Sequence, residues 1–151
     1  SLAVLIARLL KNQDNEIPYN IIDVYNKNNF RGTDDEGSLK IKFHKLFEAE
    51  LKISIKKNLV EPTIIYGTKG KMIIPNPWLP NKDTSIEVST SEKNYIKKIS
   101  SKYSVYANTI KAASDAIQQN NNYCQFPNMT WEDSIISSKI LTEWRNYLYK
   151  V

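Results

Sequence analysis

The sequence predicts an α+β fold, a largely antiparallel β-sheet with helices packed on one face. Three observations lead there. An apolar, helix-forming stretch opens the chain, several segments of two-residue periodicity follow, and two segments of helical spacing close it. That order, helix then strands then helices, is typical of α+β domains, in which flanking helices cover the apolar side of a sheet. The 151 residues suit one domain, since domains commonly run to roughly 100–150 residues, and residues 1–151 are read here as a single one.

The stretch Leu2-Ala3-Val4-Leu5-Ile6-Ala7-Arg8-Leu9-Leu10 is rich in Leu and Ala and lacks Gly and Pro, the composition of a helix. It is apolar on almost every side, so it predicts a buried helix. A buried helix placed at the very start leads to the expectation that further sequence precedes it. Asn12 to Asn20 is polar, contains Pro18 and reads as a loop. Ile21 to Tyr25 is β-branched and aromatic, as strands prefer. Ser38 to His44 alternates Leu39, Ile41 and Phe43 with Lys40, Lys42 and His44. Glu48 to Lys56 alternates Ala49, Leu51, Ile53 and Ile55 with Glu50, Lys52, Ser54 and Lys56. A period of two means one buried face and one wet face. On the wet face His44, Lys42 and Lys52 are the candidate substrate contacts. Ile64-Ile65-Tyr66 and Met72-Ile73-Ile74 flank Gly67-Thr68-Lys69-Gly70, which predicts a tight hairpin with Gly67 and Gly70 as structural turn residues, at least one at positive φ. Ile86-Glu87-Val88 and Tyr95-Ile96 supply further short strands.

Tyr106, Ile110, Ala113 and Ile117 recur at helical spacing, as do Ile136, Ile140, Trp144 and Leu148. Thr130 is placed to cap the second of these helices, with Glu132 and Asp133 at the positive end of its dipole. With Asp133 in place of Glu, the reciprocal capping box is expected to be a weak one.

The formal charge of +5 raises nucleic-acid binding, since lysines release counterions from phosphate. Lys93, Lys97, Lys98 and Lys102 are interleaved with Tyr95 and Tyr103, which could stack on bases. No recognised nucleic-acid motif supports that patch, and no nucleic-acid partner is expected. The apolar run Leu2 to Ala7 is far short of the roughly 20 residues of a membrane span. Cys124 is the single cysteine, so nothing marks an oxidising compartment and a cytoplasmic location is expected. With His44 80 positions away, Cys124 reads as a bystander thiol rather than a nucleophile. One histidine and one cysteine do not build a usual zinc site, and no metal is expected. Gly67-Thr68-Lys69-Gly70 is followed by a strand, not by the helix that would hold a phosphate. The adjacent acids Asp34, Asp35 and Glu36 could hold a cation or act as acid and base, but they read as a solvated strand entrance.

Several segments, in order, resemble the Gfo/Idh/MocA oxidoreductases (glucose–fructose oxidoreductase, inositol dehydrogenase and relatives). Ile64 to Trp78, with its glycine turn and Pro75-Asn76-Pro77-Trp78 ending, is similar to that family's glycine turn and following strand. Gly32-Thr33-Asp34-Asp35-Glu36 before Leu39 to Phe43 resembles its acidic lead-in to a sheet strand. Tyr106 with Ala113 to Ile117, and Met129-Thr130-Trp131-Glu132-Asp133-Ser134 through Leu141 to Arg145, are similar to its late and closing helices. The resemblance implies the C-terminal domain of an NAD- or NADP-dependent oxidoreductase acting on a sugar or polyol. The Rossmann domain, the glycine-rich cofactor loop and the Glu-Lys-Pro motif with the catalytic lysine are absent. No residue here therefore takes a catalytic or cofactor-binding role, and the chain alone is expected to be inactive. One sheet face would rest on helices. The other would wall the substrate site or pair with a second subunit in a homodimer or higher homo-oligomer. A stand-alone carbohydrate- or protein-binding scaffold is the alternative.

Overall fold

The computed structural model describes residues 2–11, 17–28, 34–45, 47–59, 62–124 and 126–148. It is α+β, as the periodicities predict, and every strand pairing is antiparallel. The strands form two sheets rather than one, and the chain divides into two compact units, Ser1–Leu59 with Asn121–Val151, and Val60–Asn120.

The first unit holds α1 (Leu2–Leu10), β1 (Asn20–Asn28), β2 (Asp34–Phe43) and β3 (Phe47–Ser54). Its closing helix is α3 (Trp131–Leu148), numbered after α2 (Val105–Gln118) of the other unit. The sheet order is β1-β2-β3, so β2 is central. The alternation in β2 holds along its length: Asp35, Gly37, Leu39, Ile41 and Phe43 are buried while Lys40 and Lys42 are exposed. Leu39, Ile41 and Phe43 meet Val4 and Ala7 of α1 and Ile140 and Trp144 of α3 in one core. Full burial of a Val, Leu, Ile or Phe side chain of this kind stabilises by about 1.5–3 kcal/mol. The stripe on α3 is thus confirmed at Ile136, Ile140 and Trp144; the Leu148 side chain lies outside the described residues. Gly37 of β2 lies under the Trp144 side chain of α3. A Cβ there would lie 3.2 Å from the Trp144 ring and 2.6 Å from Asn26 Oδ1, and Trp144 Nε1 donates to that same oxygen at 3.0 Å.

Three strand expectations are corrected. His44 does not sit on the polar side of a strand; it follows the last residue of β2, in the turn to β3, at φ 43°. Ile55 and Lys56 lie beyond the end of β3, and Ile55 is 75% exposed. Ile53 is within β3 and opposite Gly37, yet it is 45% exposed. Of the expected loop Asn12 to Asn20, residues 12–16 lie outside the described residues, as do Gly32 and Thr33, and Asn20 belongs to β1.

The second unit is a meander of β4 (Thr63–Gly67), β5 (Gly70–Ile74), β6 (Asp83–Thr90) and β7 (Asn94–Ser100), followed by α2 (Val105–Gln118). Gly67 pairs with Gly70 across the two-residue turn Thr68-Lys69, as the glycine spacing predicts. Gly70 has φ +153°, and a Cβ there would collide with the Ser89 carbonyl oxygen on the neighbouring strand. Between β5 and β6, the Asn76 side chain closes a loop by donating to the Leu79 carbonyl at 2.8 Å and accepting from the Leu79 amide at 3.2 Å. Ser104 caps α2 through the Ala107 amide. The helical stripe of α2 exists but is not packed: Tyr106, Ile110 and Ile117 are 71%, 68% and 73% exposed.

Candidate functional site

The wet face of the three-stranded sheet is set by register. Lys42 faces Glu48, Lys40 faces Glu50 and Ser38 faces Lys52 across β2 and β3. Opposite charges therefore meet side by side. Lys42 Nζ is 3.3 Å from Glu48, Lys40 Nζ 4.0 Å from the same carboxylate, and Lys52 Nζ 3.3 Å from Glu50. These side chains are all about half exposed, so each pair contributes roughly 0–1 kcal/mol. Lys42 and Lys52 lie on this face as expected. Their register positions, Lys42 opposite Glu48 and Lys52 opposite Ser38, are four residues apart along β2, about 13 Å at strand rise. His44 lies past the strand end. The three candidate contacts do not converge on one point.

Lys56 does not join that face. It ion-pairs with Asp35, whose carboxylate belongs to the buried row of β2, while Lys57 reaches Glu36 at 2.8 Å. Within the acidic run, Asp35 therefore departs from the expected solvated entrance, while Asp34 and Glu36 are half-buried. Asp35 is buried, and the hydrogen bond from Lys57 holds the Glu36 carboxyl below its usual range. The lysine ammonium is raised in turn by the same bond. Among the described residues no group of three or more His, Cys, Asp or Glu is placed to hold a metal ion. Cys124 is half-buried.

The lysine-tyrosine segment does not form one surface. Lys97 and Lys98 are consecutive on β7, opposite Ile86 and Ser85, and so point to opposite faces. Lys93 lies 5.2 Å over one face of the Tyr95 ring and Lys102 5.3 Å over one face of Tyr103.

Sequence reasoning missed the most buried ionic site. Arg8 of α1 and Asp133 of α3 are 2% and 3% exposed, and Arg8 Nε donates to Asp133 Oδ1 at 2.6 Å. Asp133 Oδ2 accepts from the Thr130 amide at 2.9 Å and its hydroxyl at 3.1 Å, and the Asp133 amide donates back to Thr130 Oγ1 at 3.3 Å. The reciprocal capping box is thus formed, and its carboxylate also holds the arginine. Burial pushes the Asp133 carboxyl up, but the Thr130 amide and hydroxyl and the Arg8 guanidinium together bring it below the usual carboxylate value. The one available signal was a single cation inside an otherwise apolar helix. Further along α3, Glu143 accepts from the Tyr19 hydroxyl at 2.8 Å, and burial together with that carboxylate pushes the phenol up to about 12. An open groove of about 450 Å3 runs along α3 between Ser134 and Glu143, lined by Ile135, Ser138, Lys139 and Thr142.

What these groups can do is hold charges and bind. Among the described residues, no helix is long and apolar enough to cross a membrane. No protein-family model matches the sequence, and no curated protein is significantly similar to it.

Proposed function

We propose that this chain is the C-terminal domain of a Gfo/Idh/MocA-type oxidoreductase, dependent on NAD or NADP and acting on a sugar or polyol in the cytoplasm. In that role it supplies the substrate-side wall and subunit contacts, while a Rossmann domain carries the cofactor and the catalytic lysine. The observation that supports the reading most is a sheet covered by α1 and α3 on one face and open on the other, where Lys40, Lys42 and Lys52 alternate with Glu48 and Glu50. Mixed charge of this kind suits hydroxyl-rich ligands and self-matching contacts about a symmetry axis.

The reading frame upstream of Ser1 in the parent gene tests the assignment directly. A glycine-rich βαβ region followed by a Glu-Lys-Pro motif is expected; a frame without them overturns it. Calorimetry on the isolated chain should give no NAD or NADP binding, because a pyrophosphate is normally held by a glycine-rich loop at a helix amino terminus. Micromolar affinity would contradict this division of labour.

A second reading, a carbohydrate-binding module without catalysis, draws support from one feature. Tyr123 and Trp131 form an exposed aromatic pair, 54% and 65% accessible with centroids 6.4 Å apart. Chemical-shift changes confined to these rings on adding glucose would favour it over the oxidoreductase reading.

A further inference from the structure

The two sheets expose four edge strands, and three of them are guarded. β1 carries register irregularities at Ile21/Asp23 and Lys27/Asn28. β3 carries Glu48, Glu50 and Lys52, and β7 carries Lys97 and Lys98. Charges and bulges of this sort are how sheets discourage edge-to-edge pairing. β4 has neither: it reads Thr-Ile-Ile-Tyr-Gly, pairs with β5 in unbroken register and contains no charge and no proline. Its second edge carries no strand among the described residues.

We propose that this edge of β4 pairs antiparallel with β4 of a second copy of the chain, about a two-fold axis through Ile65. The two four-stranded sheets then become one continuous sheet. Symmetry and charge select this occupant. With Ile65 facing its own copy, Ile64 comes opposite Tyr66 and Thr63 opposite Gly67, so aromatic and β-branched side chains meet across the axis, a favourable cross-strand pairing. No like charges are brought together within the strand. The same operation on β7, centred on Lys97 or Lys98, would set identical cations against each other. Ile64 and Tyr66 are 40% and 76% exposed in the single chain and supply the apolar surface to be covered. A strand of five residues covers well under the roughly 1,200 Å2 of a stable interface, so the dimer is a weak, concentration-dependent one.

This contact is separate from the wet face of the three-stranded sheet and fails or survives independently of it. Sedimentation velocity across a concentration series, with hydrogen exchange at the same concentrations, provides the test. The wild-type chain should dimerise, with amides of residues 63–67 gaining protection as concentration rises. Tyr66→Lys should weaken the dimer at least about tenfold by placing a charge on the edge, with unchanged melting because Tyr66 is mostly exposed. Ile64→Lys should do the same, whereas Lys42→Glu with Lys52→Glu should leave this association intact. A wild-type chain that stays monomeric at several hundred micromolar overturns the proposal. So does a Tyr66→Lys variant that dimerises as before, or protection that rises elsewhere than in residues 63–67, which would point to another surface.

Discussion

The two units use the same raw material, alternating strands and an amphipathic helix, with opposite results. In the first, three consecutive inward residues of β2 are fully buried between the sheet and two helices. In the second, no residue of the four strands is buried among those described, and Ala116 of α2 alone reaches that class. The first unit is held mainly by a packed core. The second is held by ladder hydrogen bonds, a glycine turn and side-chain clamps such as Asn76 on Leu79 and Thr90 on the Glu92 and Lys93 amides. Two-residue periodicity therefore reports that a strand has two different faces. It does not report that anything covers the apolar one.

If that contrast is right, the largest effect comes from Trp144. Replacing it with Ala removes a ring packed on Gly37 together with its bond to Asn26, and should destabilise the first unit by about 3–5 kcal/mol. In native-state hydrogen exchange, β1–β3 amides should be the slowest in the wild type and lose that lead in the variant. Equal protection of β2 and β6 in the wild type would break the comparison at its root.

Next is Asp133→Ala, which strips Arg8 of its buried counter-ion and should cost about 3–5 kcal/mol. The same carboxylate sets a pH dependence. Its folded-state value is depressed, so its stabilisation is complete above the unfolded value near 3.9 and fades as pH falls through the lower folded value. Wild-type melting temperature should therefore drop on acidification in that range, and the slope should shrink in Asp133→Asn. An unchanged acid slope in the variant would remove Asp133 from the account.

A smaller effect is expected in the second unit. Gly70→Val should lower its stability by roughly 1–3 kcal/mol, since the backbone is held in a region that side chains avoid. Gly67→Ala should be milder, as a Cβ there meets its nearest atom, the Gly70 carbonyl oxygen, at an ordinary 3.6 Å. Equal losses at both glycines would contradict the turn geometry. The smallest effect is at Lys42→Ala and Lys52→Ala, each within about 0.5 kcal/mol because the ion pairs are exposed. Loss of more than that would mean the wet face is structurally coupled to the core.

Much of the first unit could be read from its residues. Leu39, Ile41 and Phe43 declare a strand with one dry side, and Thr130 with Asp133 declares a helix start, because both depend on local spacing. The reading failed where local pattern outlasted local structure. Ile53 and Ile55 continue the alternation of β3, but the strand stops at Ser54 and the inward position of Ile53 faces Gly37, which has no side chain to shelter it. The α2 stripe has proper helical spacing and no cover, which spacing alone does not reveal. His44 looked like the next outward strand residue, yet the hairpin reverses there, and a histidine in a left-handed turn conformation leaves no mark in an apolar-polar pattern. Of the site, the outward placement of Lys42 and Lys52 was legible and their separation along the strand was not. The distance follows from a pairing partner far away in sequence.

The Arg8–Asp133–Thr130 junction carries an implication for how this sequence can vary. Asp133 serves as cap partner to one helix and counter-ion to another, so position 133 answers to two constraints at once. Losing the arginine first leaves the carboxylate buried at 3% exposure but still held by the Thr130 amide and hydroxyl. Losing the aspartate first takes an ion-pair partner from a guanidinium at 2% exposure and undoes the cap as well. Substitution should consequently be directional. Among diverged copies of this chain, an apolar residue at position 8 beside a retained Asp133 should be found more often than an arginine at position 8 without an acid at 133.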